Sequence, residues 1–348
     1  MADWTLPWAP GAASGLGPFP GADPFEAARV VFGELGDLPH LPQLPQRGAG
    51  ADAVGRTAAL LVDLHADVHA GRWRVVPRAG GDERRAREML ERDLDALEEA
   101  GGAHRGPVKV QAVGPWSLAA SMELARGEKV LADRGATRDL AVSLTEGLRA
   151  HVAGVRRRLP GATRLVVQLD EPLLVDVLAG SVPTASGWDR LPAPEPGPAE
   201  EALAAALRAG GDDAGVSCNA AGAPLALLRR AGARFVALDD DALEAVPEED
   251  LGTAVEAGAG LLVGMVTPAS LHAPLADVVA VTRRAWARLG LGEDRWAGVV
   301  VTPAVDLAQL TPDQAVAVLG RCREAGRSLV PGADDDGPPE AGDGPGRR

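Results

Sequence analysis

A short apolar run, Leu165-Val166-Val167-Gln168-Leu169, ends in two adjacent carboxylates and a proline, Asp170-Glu171-Pro172. Proline brings no amide hydrogen to a ladder, so a strand stops there. The run is nearly continuous in its apolar character rather than alternating. Strands covered on both faces read this way, and they belong to parallel sheets packed between helices. Charge at the C-terminal end of such a strand faces the crevice in which parallel α/β proteins hold their ligands. One segment therefore predicts an α/β fold and places a candidate site within it.

Eight short apolar runs alternate with helical stretches: Ser14 to Gly17, Trp73 to Val76, Val108 to Val113, Leu165 to Leu169, Gly215 to Asn219, Phe235 to Leu238, Leu261 to Val266 and Val299 to Thr302. Between them, Asp82 opens a helix over Arg84 to Glu99, Arg138 to Arg158 runs amphipathically, and Pro312 and Asp313 occupy the first turn of a helix ending near Leu329. That alternation predicts a single (β/α)8 TIM barrel over residues 11–330. Residues 1–10 read as a flexible N-terminus and residues 331–348 as a disordered acidic Gly/Pro tail that cannot offset its ordering entropy. Two long connections should build the active face: Pro18 to about Asp52, rich in Pro and Gly, and Pro183 to Pro192, whose Trp188 is expected over the mouth.

Composition narrows the partner. A net charge of −14 on 348 residues argues against a nucleic-acid footprint, which needs clustered cations to displace counterions. The chain starts without a basic, apolar leader and has no run approaching about 20 apolar residues, so the expectation is a cytoplasmic protein with a small-molecule substrate and no membrane partner. Two cysteines, Cys218 and Cys322, make neither a disulfide framework nor a four-thiolate zinc site.

Side chains alternate along a strand, so Asp170 and Glu171 point to opposite sides and one of them faces the barrel axis. A carboxylate there holds an ammonium group or takes a proton. The alternative is a structural ion network with nearby arginines. Gly114-Pro115-Trp116-Ser117 closes the third strand, where glycine permits close approach and the serine either caps the next helix or touches an anion. Trp116 offers a wall for stacking a flat ring. Asp239, Asp240, Asp241 and Asp306 could supply hard oxygen ligands for magnesium or manganese, or the triple Asp opens a short helix at Ala242. His65 and His69, four apart, could chelate a metal from one helical face or form an ordinary surface pair.

Gln168-Leu169-Asp170-Glu171-Pro172 resembles the Gln-(Ile/Val/Leu)-Asp-Glu-Pro signature of the cobalamin-independent methionine synthase family, which shares its barrel superfamily with uroporphyrinogen decarboxylase. Gly114-Pro115-Trp116-Ser117, Leu16-Gly17-Pro18-Phe19-Pro20, Asp52-Ala53-Val54, Gly55 to Leu61 and Arg126-Gly127-Glu128-Lys129 are similar to further family stretches, the last two to short single-barrel actinobacterial members. The resemblance implies methyl transfer from a folate-type donor to a homocysteine-like thiol activated by zinc. It makes Asp170 and Glu171 the catalytic pair and gives Asp170 the amino group of the substrate, with Gln168, Gly114, Trp116, Ser117 and Trp188 completing the substrate site. The family's zinc ligands are matched poorly: Ser217 stands at the His position, Asn219 and Val305 at Cys positions, and Pro18 at a substrate-binding serine. Cys218 and Asp239 are the nearest metal candidates. Besides a methyltransferase with a degenerate zinc site, the residues allow a catalytically altered barrel that binds or regulates through a small molecule. A metal-free decarboxylase fits less well, for want of arginines at the strand ends.

Overall fold

The structure is a computed structural model and describes residues 6–330; the expected tail, 331–348, lies outside them. Six strands form one curled parallel sheet in chain order: β3 (Val108–Val113), β4 (Leu165–Asp170), β5 (Ala214–Ser217), β6 (Phe235–Asp239), β7 (Gly260–Val266) and β8 (Val299–Pro303). They coincide with six of the eight apolar runs; helices such as Arg134–Arg158 and Pro196–Gly210 fill the crossovers, and Pro312–Leu329 follows the last strand. No helix among the described residues is long and apolar enough to cross a membrane.

The first two expected strands are corrected. Trp73–Val76 belongs to β2 (Arg72–Val76), which pairs antiparallel with β1 (His65–His69) outside the main sheet. The turn between them explains why. Ala70 and Gly71 both have positive φ, 50° and 77°, the geometry of a two-residue hairpin whose twist matches its strands. His65 and His69 thus lie on a strand, where four residues span about 13 Å, too far for one metal.

Ser14–Gly17 forms no regular strand, yet it does reach the sheet edge. Ser14 N donates to Val301 O at 3.0 Å and Val301 N to Ala12 O at 3.1 Å. On the opposite edge, Leu41 N donates to Lys109 O at 2.9 Å and Lys109 N to Pro39 O at 2.8 Å. The two edge segments also meet each other, through Phe19 N to Gln43 O and Gln43 N to Gly17 O, both 2.8 Å. Residues 39–43 read in the sequence as a Pro-rich connection, because Pro39 and Pro42 interrupt any strand-like run. In space they take the place that Trp73–Val76 was expected to fill.

Two apolar cores follow from strand alternation. Leu165, Val167 and Leu169 pack outward with the helices, while Val166 joins Phe235, Ala237, Leu262 and Val300 inside the curl. Trp8 closes that inner core, edge-on to Phe235 with ring centroids 5.8 Å apart, so the described part of the N-terminal stretch 1–10 includes a buried anchor. Gly260 makes room for it, since a Cβ there would overlap the Trp8 ring.

A second knot is ionic. Asp93, almost fully buried in helix Gly81–Gly101, accepts from Arg47 at 2.8 Å and from Arg56 of helix Ala53–Ala58. Asp52 caps that short helix through Gly55 N at 2.8 Å and also takes Trp73 Nε1 at 3.2 Å. The stretch around Gly55-Arg56-Thr57 is therefore spent on the scaffold. Replacing Asp93 with Asn strands the buried Arg56 guanidinium and the partly buried one of Arg47, so we expect a loss of about 3–5 kcal/mol in denaturant-unfolding stability. A loss below about 1 kcal/mol would show that the arginines find other partners.

Candidate functional site

Alternation at the end of β4 sets the site. Val166 lies in the inner core, so Gln168 and Asp170 share its inward face and Glu171 turns outward. Two backbone amides at the start of helix Pro115–Ser121 hold Glu171: Trp116 N donates to Oε1 at 2.9 Å and Ser117 N to Oε2 at 2.7 Å. Ser117 Oγ accepts from Leu173 N at 3.0 Å, fastening the next loop to the same helix. Gly114 is required here, because a Cβ would overlap Glu171 Oε1. Burial pushes the Glu171 carboxyl up to about 7, even though the amide bonds favour its charged form.

Inside, the polar groups form a chain. Lys109 Nζ donates to Gln168 Oε1 at 2.8 Å, which fixes the amide so that Gln168 Nε2 donates to Leu16 O at 3.0 Å and to Asp170 Oδ1 at 2.6 Å. Gln111 Nε2 donates to Leu41 O, and Gly15 N to His40 Nδ1 at 3.3 Å. Gly17 has φ +133°, and a Cβ there would sit 2.7 Å from Gln111 Nε2, so this glycine serves both backbone and space. Buried His40 Nε2, Gln111 Oε1 and Thr302 Oγ1 have no hydrogen-bond partner among the described residues. These atoms give the interior unused hydrogen-bonding capacity.

Asp170 takes part in no ion pair among the described residues, and no arginine holds it. Burial raises its pKa to about 6, against the opposing pull of the Gln168 hydrogen bond and the Lys109 charge. Burial also brings Lys109 well below the ordinary lysine value, with Asp170 opposing. His40, buried beside Lys109, is held neutral.

Several predicted site residues prove to be elsewhere. Trp116 is buried and its Nε1 donates to Ala199 O of helix Pro196–Gly210 at 3.1 Å, so its indole belongs to the helix layer and cannot stack a ring at the mouth. Ser117 is committed to Glu171 and Leu173, and Gly114 to making space for Glu171. Trp188 stands 95% exposed on a hairpin tied to Glu128. Sequence reasoning passed over Lys109, Gln111 and His40. The signal for Lys109 and Gln111 was their position, two polar side chains at alternate places in a strand otherwise apolar.

The metal candidates do not assemble. Cys218 is fully buried beyond β5 in the outer core, and burial, then Glu171, pushes its thiol up to about 12. Asp239 Oδ1 accepts from Ala242 N at 2.8 Å and caps helix Asp240–Ala245, and Asp306 Oδ1 accepts from Ala308 N at 3.0 Å. Ser217 sits in register between Asp170 and Ala237, Asn219 is exposed, and Val305 packs on the core. Hydroxyl, amide and alkyl groups do not supply the thiolate and imidazole set of a thiol-activating zinc.

No family model matches the sequence, and no curated protein matches it. Among solved structures, the chain is similar to a B12-independent methionine synthase from a Shewanella species in complex with selenomethionine, at TM-score 0.57 and 12% identity, over 91% of this chain and 97% of that one. It also aligns with a chain of the tryptophan synthase α2β2 complex from Pyrococcus furiosus at TM-score 0.40 and 13% identity, over 92% and 98%. The first likeness shows a distant relationship of fold.

Gly114→Ala tests the turn that carries the site. Forcing a methyl against the Glu171 carboxylate should lower stability by about 1–3 kcal/mol, the range for overpacking. Thermal and urea melts that match wild type would mean the turn relaxes freely.

Proposed function

We propose that the protein is a complete (β/α)8 barrel, with residues 12–18 and 39–43 as its irregular first two staves, that binds a small molecule bearing an amino group at Asp170. One observation carries the reading: an inward carboxylate at a strand's C-terminal end, with one oxygen held by Gln168 and, among the described residues, no cation within ion-pair distance, Lys109 spending its ammonium on Gln168. A buried carboxylate keeps its charge most easily when a cation arrives, and an ammonium group meets that need with directed hydrogen bonds. An amino acid is the favoured ligand class, since the methionine synthase of similar fold was solved with selenomethionine.

Methyl transfer to a thiol is the second reading, favoured by the Gln168 to Pro172 segment and by that neighbour. Its zinc is what the donor set fails to support. We therefore place ligand binding ahead of thiol activation and route no step through a metal. Protein purified without added metal should carry well under one zinc per chain, and stoichiometric, tightly held zinc by elemental analysis would restore the methyltransferase reading.

Asp170→Asn removes the charge and keeps the size. Affinity for methionine or homocysteine should fall by about 1.5–3 kcal/mol in calorimetric titration. The pH dependence follows from the raised carboxyl: above about 6 Asp170 is charged and binding is full, whereas below it a proton must leave first. Affinity should then drop about tenfold for each further pH unit in wild type and stay flat in the Asn variant. Unchanged affinity with a large fall in melting temperature would assign Asp170 to the scaffold.

A further inference from the structure

Like β4, β6 ends in an inward carboxylate. Phe235 and Ala237 belong to the inner core, so Asp239 shares their face, as Asp170 shares that of Val166. β5 runs between the two strands and offers only the small Ser217, in register with Asp170 on one side and Ala237 on the other. Two strand spacings, and two further residues along β6, put the backbones of Asp170 and Asp239 about 12 Å apart, and a curled sheet brings inward side chains together.

The two carboxylates are anchored alike. Gln168 Nε2 donates to Asp170 Oδ1 at 2.6 Å, and Ala242 N to Asp239 Oδ1 at 2.8 Å. In each, the second oxygen takes no hydrogen bond from the described residues, and neither side chain makes an ion pair among them. The first three residues after each of the six strands include no lysine or arginine, whereas Asp240, Asp241 and Asp306 add negative charge there. Lys109, the inward cation of these strands, lies deeper and donates to Gln168. Arg284, whose charge reaches Asp240, pairs with Glu244.

Beside each carboxylate an acceptor is left over. Gln111, in register with Gln168, keeps a buried Oε1 with no partner among the described residues. Thr302, in register with Asp239 through Gly264, keeps a buried Oγ1 in the same condition, and it faces inward with Val300 of the inner core. A buried polar atom without a partner is hydrogen-bonding capacity that the folded chain does not itself use.

We propose, resting on the reading of Asp170 as an ammonium site, that the ligand carries two ammonium groups four or five carbons apart, one held at Asp170 and the second at Asp239. Each ammonium brings three donors, enough for the free carboxylate oxygen and for the acceptor left over beside it. Two positive ends answer strand ends whose charges are of one sign. A ligand with a single amino group leaves Asp239 without a counter-charge, and this difference is what selects between them. A basic amino acid and a simple diamine share this chemistry.

Calorimetric titration of the full chain with four probes tests this: lysine against norleucine, which lacks the second amine, and 1,5-diaminopentane against pentylamine. At least one two-amine probe should bind about tenfold tighter than its counterpart. A gain in both pairs supports a diamine site, and a gain for lysine alone supports a basic amino acid. Asp239→Asn keeps the helix cap, which asparagine serves as well, so its thermal melt should match wild type while the gain falls to about one. Asp170→Asn should weaken all four probes. Equal affinities within both pairs, or a gain that persists in Asp239→Asn, would overturn the proposal and leave the Asp170 reading standing. Binding of none of the four would overturn both.

Discussion

The clasp of Glu171 by the amides of Trp116 and Ser117 is the interaction on which the site depends. It fixes the end of β4 to the turn after β3, and, because side chains alternate, an outward Glu171 requires an inward Asp170. The burial of Glu171 also carries a pH cost. A carboxyl raised from about 4.5 to about 7 on folding stabilises the native state fully below 4.5, where both states hold the proton equally well on this count and the buried group is neutral. Between those values the folded chain keeps a proton that the unfolded chain releases, so this contribution fades as pH rises through 7.

Polarity inside the curled sheet is tolerated because it is arranged in order of depth. At the closed end Trp8, Phe235, Val166 and Leu262 exclude water, with Gly260 giving Trp8 its place. Lys109 starts level with Val166 and spends its ammonium on Gln168, one inward position nearer the mouth. Gln168 passes the polarity on to Asp170, at the strand end. A lone lysine at that depth would be costly, and each link shortens the distance over which charge is left without a dipole.

Six parallel strands were legible because each is a short run of mostly apolar residues set between helical stretches, and Pro172 marked the end of β4 as it stands. The first quarter was not. Trp73 to Val76 carries the apolar pattern of a strand, but pairing is decided by the Ala70-Gly71 turn, which sends it back along β1. Residues 39–43 give no strand signal, since their prolines erase it, yet their carbonyls and amides complete the hydrogen bonding of β3's free edge. The opposed directions of Asp170 and Glu171 followed from period two alone. What became of Trp116, Ser117 and Cys218 did not, because side chains beyond a strand end point wherever the following turn or helix carries them.

Trp116 shows why those roles were hard to separate. Its amide belongs to the Glu171 clasp, while its indole is buried in the helix layer and bonds to Ala199. One residue is thus shared between the strand end and the helix layer, and the sequence pattern Gly-Pro-Trp-Ser carries no mark of which duty dominates. Physical chemistry does. The amide bond to a buried carboxylate needs only the backbone and survives any side chain compatible with the turn, whereas the indole fills space in the helix layer and adds a hydrogen bond to the Ala199 carbonyl of helix Pro196–Gly210. The choice of tryptophan at this position is therefore explained by the outer face, and the choice of glycine two residues before it by the inner one.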